Sequence, residues 1–318
     1  MSNVFGADST AEEVISGINL GGKTAVVTGG SAGLGVETGR VLAGAGAEVV
    51  MVGRDNAKLS AVVDELRRQL PAARIEKELM DLADLASIRE AANRILQRWP
   101  RLHLLINNAG VMACPEERTR DGFELQFGTN HLGHFLFTCL LVRALRAAAP
   151  TRIVNLSSGG HKISGVDFDD PNFERREYDK WVAYGQSKTA NSLFSVALNQ
   201  RLAQNGVTAY AVHPGVIVTE LGRYLQPADI EAIFSRSGRT RPTPKSVAQG
   251  AATTVWAATA TELEGRGGLY LEDCQIAAPT SDESASKGVV AHARDAATAQ
   301  QLWELSEQLL GEQFDLAG

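Results

Sequence analysis

"TAVVTGGSAGLG", residues 24–35, passes from a continuous apolar, β-branched run into a glycine loop and then into a segment of helical character. The run has no polar alternation, so it reads as a strand buried on both faces. Gly29 permits the tight turn at its end, Gly33 lets the backbone approach a pyrophosphate, and Gly35 allows a helix to pack closely on the sheet. Backbone N–H groups at the helix start would then face the negative charge. Glycines in that pattern are weak evidence alone. At a strand-to-helix junction they have the context a phosphate-binding loop requires, and Ser31, Ala32 and Leu34 belong to the same cradle.

Further candidate strands follow at intervals: "AEVVMVG" (47–53), the more charged "ARIEKELMD" (73–81), "HLLINNAG" (103–110), "RIVNLSS" (152–158), "TAYAVHPG" (208–215) and "GGLYL" (267–271). Helical spacing lies between them, through Leu59, Val62, Val63 and Leu66 before Pro71, and again over 84–99. Strands alternating with helices imply a parallel sheet covered on both faces. Residues 22–275 read as a single α/β domain. Residues 1–21 form an extension with a short helix opened by the Thr10/Glu13 capping box, and 276–318 form a partly helical tail. Segments 159–180 and 220–246 break the rhythm after strand ends, where an open α/β sheet places its ligands. They read as walls or a lid. Phe173, Trp181, Leu221, Tyr224, Leu225, Ile230 and Phe234 make them moderately apolar.

The 318 residues are 44% hydrophobic and 21% charged with a net charge of −6, which speaks against an electrostatic nucleic-acid binder. The longest apolar run, "FLFTCLLV" (135–142), is far below the ~20 residues that span a bilayer. No secretory pattern is visible, so no membrane anchor is expected and a cytoplasmic location is the expectation. Cys114, Cys139 and Cys274 are widely spaced and suit a reducing compartment. His131 and His134 have no neighbouring carboxylate or cysteine to complete a ligand set, so no metal site is expected.

The end of the second strand, "VGRDN", bears on which dinucleotide would fit. Gly53 stands where a ribose-binding carboxylate is expected, and Arg54 follows. A guanidinium makes charge-assisted bonds to a phosphate, so NADP(H) is favoured, while Asp55 leaves NAD(H) possible. Asp81 and Leu82, after the third strand, are placed to meet adenine, though Asp81 can equally cap the next helix. Asn108, Ala109 and Gly110 end the fourth strand and leave room for a cofactor.

In "WVAYGQSKTA" (181–190) Tyr184 and Lys188 lie one helical turn apart on one face. The ordered set "TGGSAGLG", "NNAG", "TNHLGHF", "NLSS", "YGQSK" and "HPGVIVTE" resembles the classical short-chain dehydrogenase/reductase family. The wording of "DFDDPNFERREYDKWVAYGQSK" and "LYLEDC" is similar to its branch of retinol dehydrogenases and WW-domain-containing oxidoreductases. The resemblance implies a Rossmann-type, doubly wound, mainly parallel seven-stranded sheet. It implies Tyr184 as general acid/base, Lys188 as its partner, Ser158 on the substrate oxygen and Asn130 as fourth member. It further implies Pro214, Gly215, Val216 and Thr219 beside the nicotinamide, and a homodimer or homotetramer formed through the helices of Asn130 and Tyr184. A phenol titrates near pH 10, and an ammonium close by, with the positive charge of a bound nicotinamide beside it, should lower that by ~2–3 units. Asn130 should find its partners through a water that leads to Lys188.

These residues together suggest an NAD(P)-dependent oxidoreductase that interconverts an alcohol and a ketone or aldehyde. The apolar loops suggest a bulky hydrophobic substrate, such as a steroid, retinoid or aromatic ketone. The alternatives are a carbon–carbon double-bond reductase of the same fold and a non-catalytic dinucleotide-binding regulatory protein.

Overall fold

Strand β1 (Thr24–Thr28) is buried at every residue, and it pairs in parallel with β2 (Glu48–Gly53) on one side and β4 (Leu104–Asn107) on the other. The computed structural model describes residues 5–229, 231 and 244–316, so Ile230 and Phe234 lie outside the described residues. With β3 (Arg74–Leu79), β5 (Thr151–Leu156), β6 (Val207–His213) and β7 (Leu269–Glu272), the strand order is β3-β2-β1-β4-β5-β6-β7-β8. The order turns back on itself between β1 and β4, which opens a crevice at their C-terminal ends.

Seven strands were expected and eight are found. The eighth, β8 (Gln275–Ile276), pairs antiparallel with β7. Its two-residue turn, Asp273 and Cys274, has φ of 50° and 53°. Such hairpin turns normally announce themselves with Asn-Gly or Asp-Gly. A two-residue strand after a glycine-free turn leaves no comparable mark in the sequence.

Helices α2 (Gly33–Gly44), α3 (Asn56–Gln69), α4 (Leu85–Arg98), α6 (Gly133–Ala147), α7 (Lys180–Leu202) and α8 (Val247–Thr259) cover the sheet. Their starts follow local chemistry: Asp55, Asp84, Asp179 and Ser246 accept first-turn N–H groups of α3, α4, α7 and α8. Close packing of α2 on β2 depends on Gly39, where a Cβ would stand 2.4 Å from Met51 Sδ. The capping box of Thr10 and Glu13 opens α1 (Ala11–Ile15), which packs on α2 and α8. The short α5 (Leu125–Phe127) runs through a π turn, Gly128–Leu132, into α6.

The tail adds α9 (Ala296–Leu310), which packs on α7. Trp303 is buried there, its ring 4.7 Å from that of Phe135 and 6.2 Å from that of Phe194. Ser306 bonds His131 at 2.8 Å. The aromatic side chains Phe135 of α6 and Phe194 of α7 are therefore covered by the chain's own C-terminal helix. This also explains why α7 is buried along nearly its whole length instead of showing a polar stripe. Among the described residues, no helix is long and apolar enough to cross a membrane.

Because Trp303 ties α9 to the core, Trp303→Ala should lower unfolding free energy by about 3–5 kcal/mol. Urea denaturation checks this; a loss below about 1 kcal/mol would mean that α9 is only loosely docked.

Candidate active site

A cavity of about 350 Å³ opens at the crevice between β1 and β4. Its walls include Gly29, Ser31, Ala32, Gly33, Leu34, Arg54, Asp81, Leu82, Asn108, Ala109, Gly110 and Thr219. The glycines are there because anything larger would fill it or break its wall. A Cβ on Gly29 (φ 70°) would stand 2.7 Å from Asn108 Nδ2 and 2.9 Å from Ala109 Cα. One on Gly33 (φ 54°) would stand 3.2 Å from Thr219 Cγ2. Gly35 lies behind the loop, where a Cβ would be 2.2 Å from the Gly29 carbonyl oxygen. It closes the helix onto the turn and does not line the cavity.

At the β2 end, Arg54 is exposed, with no ion-pair partner among the described residues. Asp55 accepts the Lys58 N–H at 3.1 Å, so its carboxylate is engaged in capping α3. Asp81 accepts the Ala83 N–H at 2.9 Å, while the cap of α4 is Asp84. Thr219 caps the short turn that follows it, and Thr219 Oγ1 accepts the Leu221 N–H at 3.4 Å. Pro214, Gly215 and Val216 do not line the cavity. Their segment is pinned by the Lys245 N–H, which donates to the Val216 carbonyl at 2.8 Å.

The reactive groups stand beyond the Gly110 end. A Cβ on Gly110 would lie 3.1 Å from Asn130 Oδ1 and 3.6 Å from Lys188 Nζ, so this glycine keeps the passage between cavity and ammonium open. Lys188 donates to the Leu156 carbonyl at 3.0 Å and is buried. Its Nζ lies 5.7 Å from the centre of the Tyr184 ring. Ser158 and the Tyr184 ring flank Gly160, where a Cβ would lie 3.5 Å from Ser158 Oγ and 2.8 Å from Tyr184 Cε1. Ser158 Oγ accepts the Gly160 N–H at 3.1 Å. The neighbouring Ser157 points away and donates to the Lys188 carbonyl at 2.8 Å. Asn130 Oδ1 accepts the Val111 N–H at 2.8 Å, and its Nδ2 donates to Val111 O and Ser187 Oγ, both at 2.9 Å. Protein groups thus supply the partners that the sequence reading assigned to a water-bridged Lys188.

The surroundings oppose the lowering expected for Tyr184: burial pushes its phenol up to about 12, with Ser158 beside it acting the other way. Burial also pulls Lys188 down to about 8. Withdrawal from water favours the neutral form of each group, and here that cost is the dominant effect on both. The shift needed for base chemistry therefore requires further positive charge in the cleft.

Some residues escaped the sequence reading. Thr28 Oγ1 accepts the Asn108 and Ala109 N–H groups at 2.9 and 3.0 Å and donates to His134 Nε2 at 2.9 Å. His134 Nδ1 in turn donates to the Asn130 carbonyl at 2.9 Å. The cavity floor is thereby linked to the helix of Asn130 through a strand threonine whose sequence context suggests only burial. Thr129 Oγ1 is buried without a protein partner and its residue lines the cavity. Lys58 stands at the mouth, 3.4 Å from Glu220. Its place one turn into α3 after Arg54 is the signal that would have found it.

A family profile described as short chain dehydrogenase matches residues 23–229. Mouse retinol dehydrogenase 12 is 43% identical over 300 residues, covering 94% of this chain and 89% of its own. A crystal structure of a Mycobacterium paratuberculosis protein superposes with a TM-score of 0.73 at 34% identity, over 95% of this chain and 98% of that one. The Pseudomonas aeruginosa RhlG/NADP active-site complex superposes with a TM-score of 0.62 at 25% identity, over 80% and 95%.

The buried ammonium has a consequence for stability. Lys188 titrates at about 8 when folded against 10.5 as a model group, so between those values the unfolded chain binds the extra proton. Stability must then rise with pH across that window. Relative to Lys188→Met, the wild-type protein should gain about 3 kcal/mol as pH rises from about 8 past 10. Chemical denaturation of both proteins across that range checks this, and parallel profiles would contradict it.

Proposed function

The chain belongs to the short chain dehydrogenase family and is an oxidoreductase; from that premise we propose that it interconverts an alcohol and a ketone or aldehyde using NADP(H). The observation that carries this reading is one arrangement. The Lys188 ammonium stands at the Gly110 end of a glycine-walled cavity, 5.7 Å from the centre of the Tyr184 ring, and Ser158 flanks that ring across Gly160.

The cavity fits a dinucleotide on its own chemistry. The N-terminus of α2 presents backbone N–H groups to a pyrophosphate, and Gly29 and Gly33 keep the approach clear. The hydroxyl of Thr129 has no other protein partner. Ser31, Ala32 and Leu34 would hold the pyrophosphate. Asp81 and Leu82 would hold the adenine, and Asn108, Ala109 and Gly110 would flank the nicotinamide riboside. Pro214, Gly215, Val216 and Thr219 would close over the ring. Arg54 and Lys58 supply cations for a 2′-phosphate, and Asp55 has one carboxylate oxygen, Oδ1, engaged in capping α3. The RhlG complex, by its title, holds NADP. When bound, such a cofactor supplies or accepts the hydride.

The chain's own residues manage the oxygen. Ser158 accepts a backbone N–H and so directs its own O–H outward, to the substrate oxygen. Tyr184 delivers a proton to that oxygen in reduction and takes it away in oxidation. Lys188 favours the phenolate and meets the ribose. Asn130 holds Val111 and Ser187 and so fixes the wall beside Lys188. Exposed Ile163, Val216 and Val218, with relative exposures of 44%, 48% and 79%, give apolar surface on the segments beside the site. They support a bulky, hydrophobic substrate of steroid-, retinoid- or aromatic-ketone type, and mouse retinol dehydrogenase 12 is named for a substrate of that kind.

Tyr184→Phe should keep dinucleotide binding and reduce turnover about 10²–10⁴-fold. Unchanged turnover with an aromatic aldehyde would remove the proposed acid/base. Arg54→Ala should weaken NADPH binding about 10- to 100-fold and leave NADH binding nearly as it was; equal losses for both dinucleotides would contradict the assigned phosphate contact.

A further inference from the structure

The carbonyl of Ser158 collects more donors than a turn requires. It accepts the His161 N–H at 3.0 Å, His161 Nδ1 at 2.6 Å and the Tyr270 hydroxyl at 3.0 Å. His161 and Tyr270 also lie 3.0 Å apart through Nδ1 and hydroxyl, with ring centres 4.7 Å apart, and both are buried. Three donors converging on one carbonyl with two lone pairs fix the peptide plane that follows Ser158.

The tautomer of His161 follows from its other partner. Nε2 accepts the Val290 N–H at 3.4 Å, which leaves the ring proton on Nδ1, aimed at Ser158. Burial pulls His161 down to about 3, so the ring is neutral. The same stretch is bolted to the tail elsewhere. His292 Nε2 bonds the His161 carbonyl at 2.8 Å, and Lys162 Nζ donates to the carbonyls of Ala285 and Lys287 at 2.8 and 3.0 Å. The Thr189 hydroxyl, next to Lys188, is shared between the Ser164 and His161 carbonyls at 2.7 and 3.0 Å. Gly160, between the serine and the histidine, presses on the catalytic ring: a Cβ there would stand 2.8 Å from Tyr184 Cε1.

We infer that His161 and Tyr270 are positioning residues for Ser158, and that through His161 the tail segment 285–292 sets the orientation of the substrate-oxygen site. The inference rests on the reading of Ser158 given above. The ring of His161 passes a backbone position in the tail, Val290, to a backbone position one residue from the reacting groups. Tyr270, on β7, fixes the same carbonyl from the sheet. Substrate oxygen polarisation is thus a property of three remote chain segments.

The test separates the two ends of the imidazole. His161→Gln keeps an acceptor near Val290 and loses the Ser158 donor, whereas His161→Asn keeps an N–H near the Nδ1 position. With an aromatic aldehyde and NADPH, His161→Gln and Tyr270→Phe should each lower kcat about tenfold. NADPH affinity, read by fluorescence, should stay within about twofold, and His161→Asn should recover most of the lost turnover. In a Ser158→Ala background, His161→Gln should cost no more than about twofold, because the route through Ser158 is already gone. An equal loss in that background, or no loss in the wild-type background, overturns the inference and leaves the role of Ser158 standing. Full turnover in Ser158→Ala itself overturns both. If His161→Gln does not fold, Tyr270→Phe, which removes one hydroxyl and keeps the ring, carries the same cycle.

Discussion

An ammonium withdrawn from water needs compensation, and Lys188 obtains it from one backbone carbonyl, that of Leu156 at 3.0 Å. Among the described residues no carboxylate pairs with it. A charge held this way is costly, which is why Lys188 is pulled down to about 8. The same burial keeps the Tyr184 phenol neutral, pushed up to about 12. At neutral pH the phenol is therefore neutral while Lys188 remains mainly an ammonium. Their titrations are those of a pair, and any added positive charge at the Gly110 end acts on both.

The fold serves that pair by bringing strand ends together. Leu156 closes β5, Gly110 follows β4 and the glycine loop follows β1, so the cavity and the ammonium meet where the strand order reverses. The links between these ends are polar and buried. Thr28 holds the Asn108 and Ala109 N–H groups and reaches His134, which holds the Asn130 carbonyl in the π turn. Extra π turns inside helices often occur at functional sites, and here the turn carries Asn130 to Val111 and Ser187. Behind α6 and α7, Trp303 of α9 packs on Phe135 and Phe194.

Much of this was legible in the sequence because it depends on local chemistry. Buried parallel strands show as β-branched runs, and the loop at 28–35 shows in its glycines, each of which has a measurable steric reason in the structure. Asp81 was readable as a cap of the next helix or as an adenine contact, and only the folded chain shows that the cap is Asp84. What stayed hidden depends on distant parts meeting. The covering of α6 and α7 by Trp303 joins residues far apart in the chain, and nothing in the tail's composition says which face it will meet. The upward shift of Tyr184 arises from burial, which spacing to Lys188 cannot report. The junction of His161, Tyr270 and Val290 joins three segments by one imidazole.

The central claim is that cationic charge in the cleft converts a buried, neutral Tyr184 into a usable base. The ultraviolet tyrosinate signal, titrated in the free protein and with oxidised dinucleotide, tests it directly. One tyrosine should ionise several pH units lower in the complex, and that transition should vanish in Tyr184→Phe. An ionisation that dinucleotide leaves in place, or one that persists in Tyr184→Phe, would contradict it.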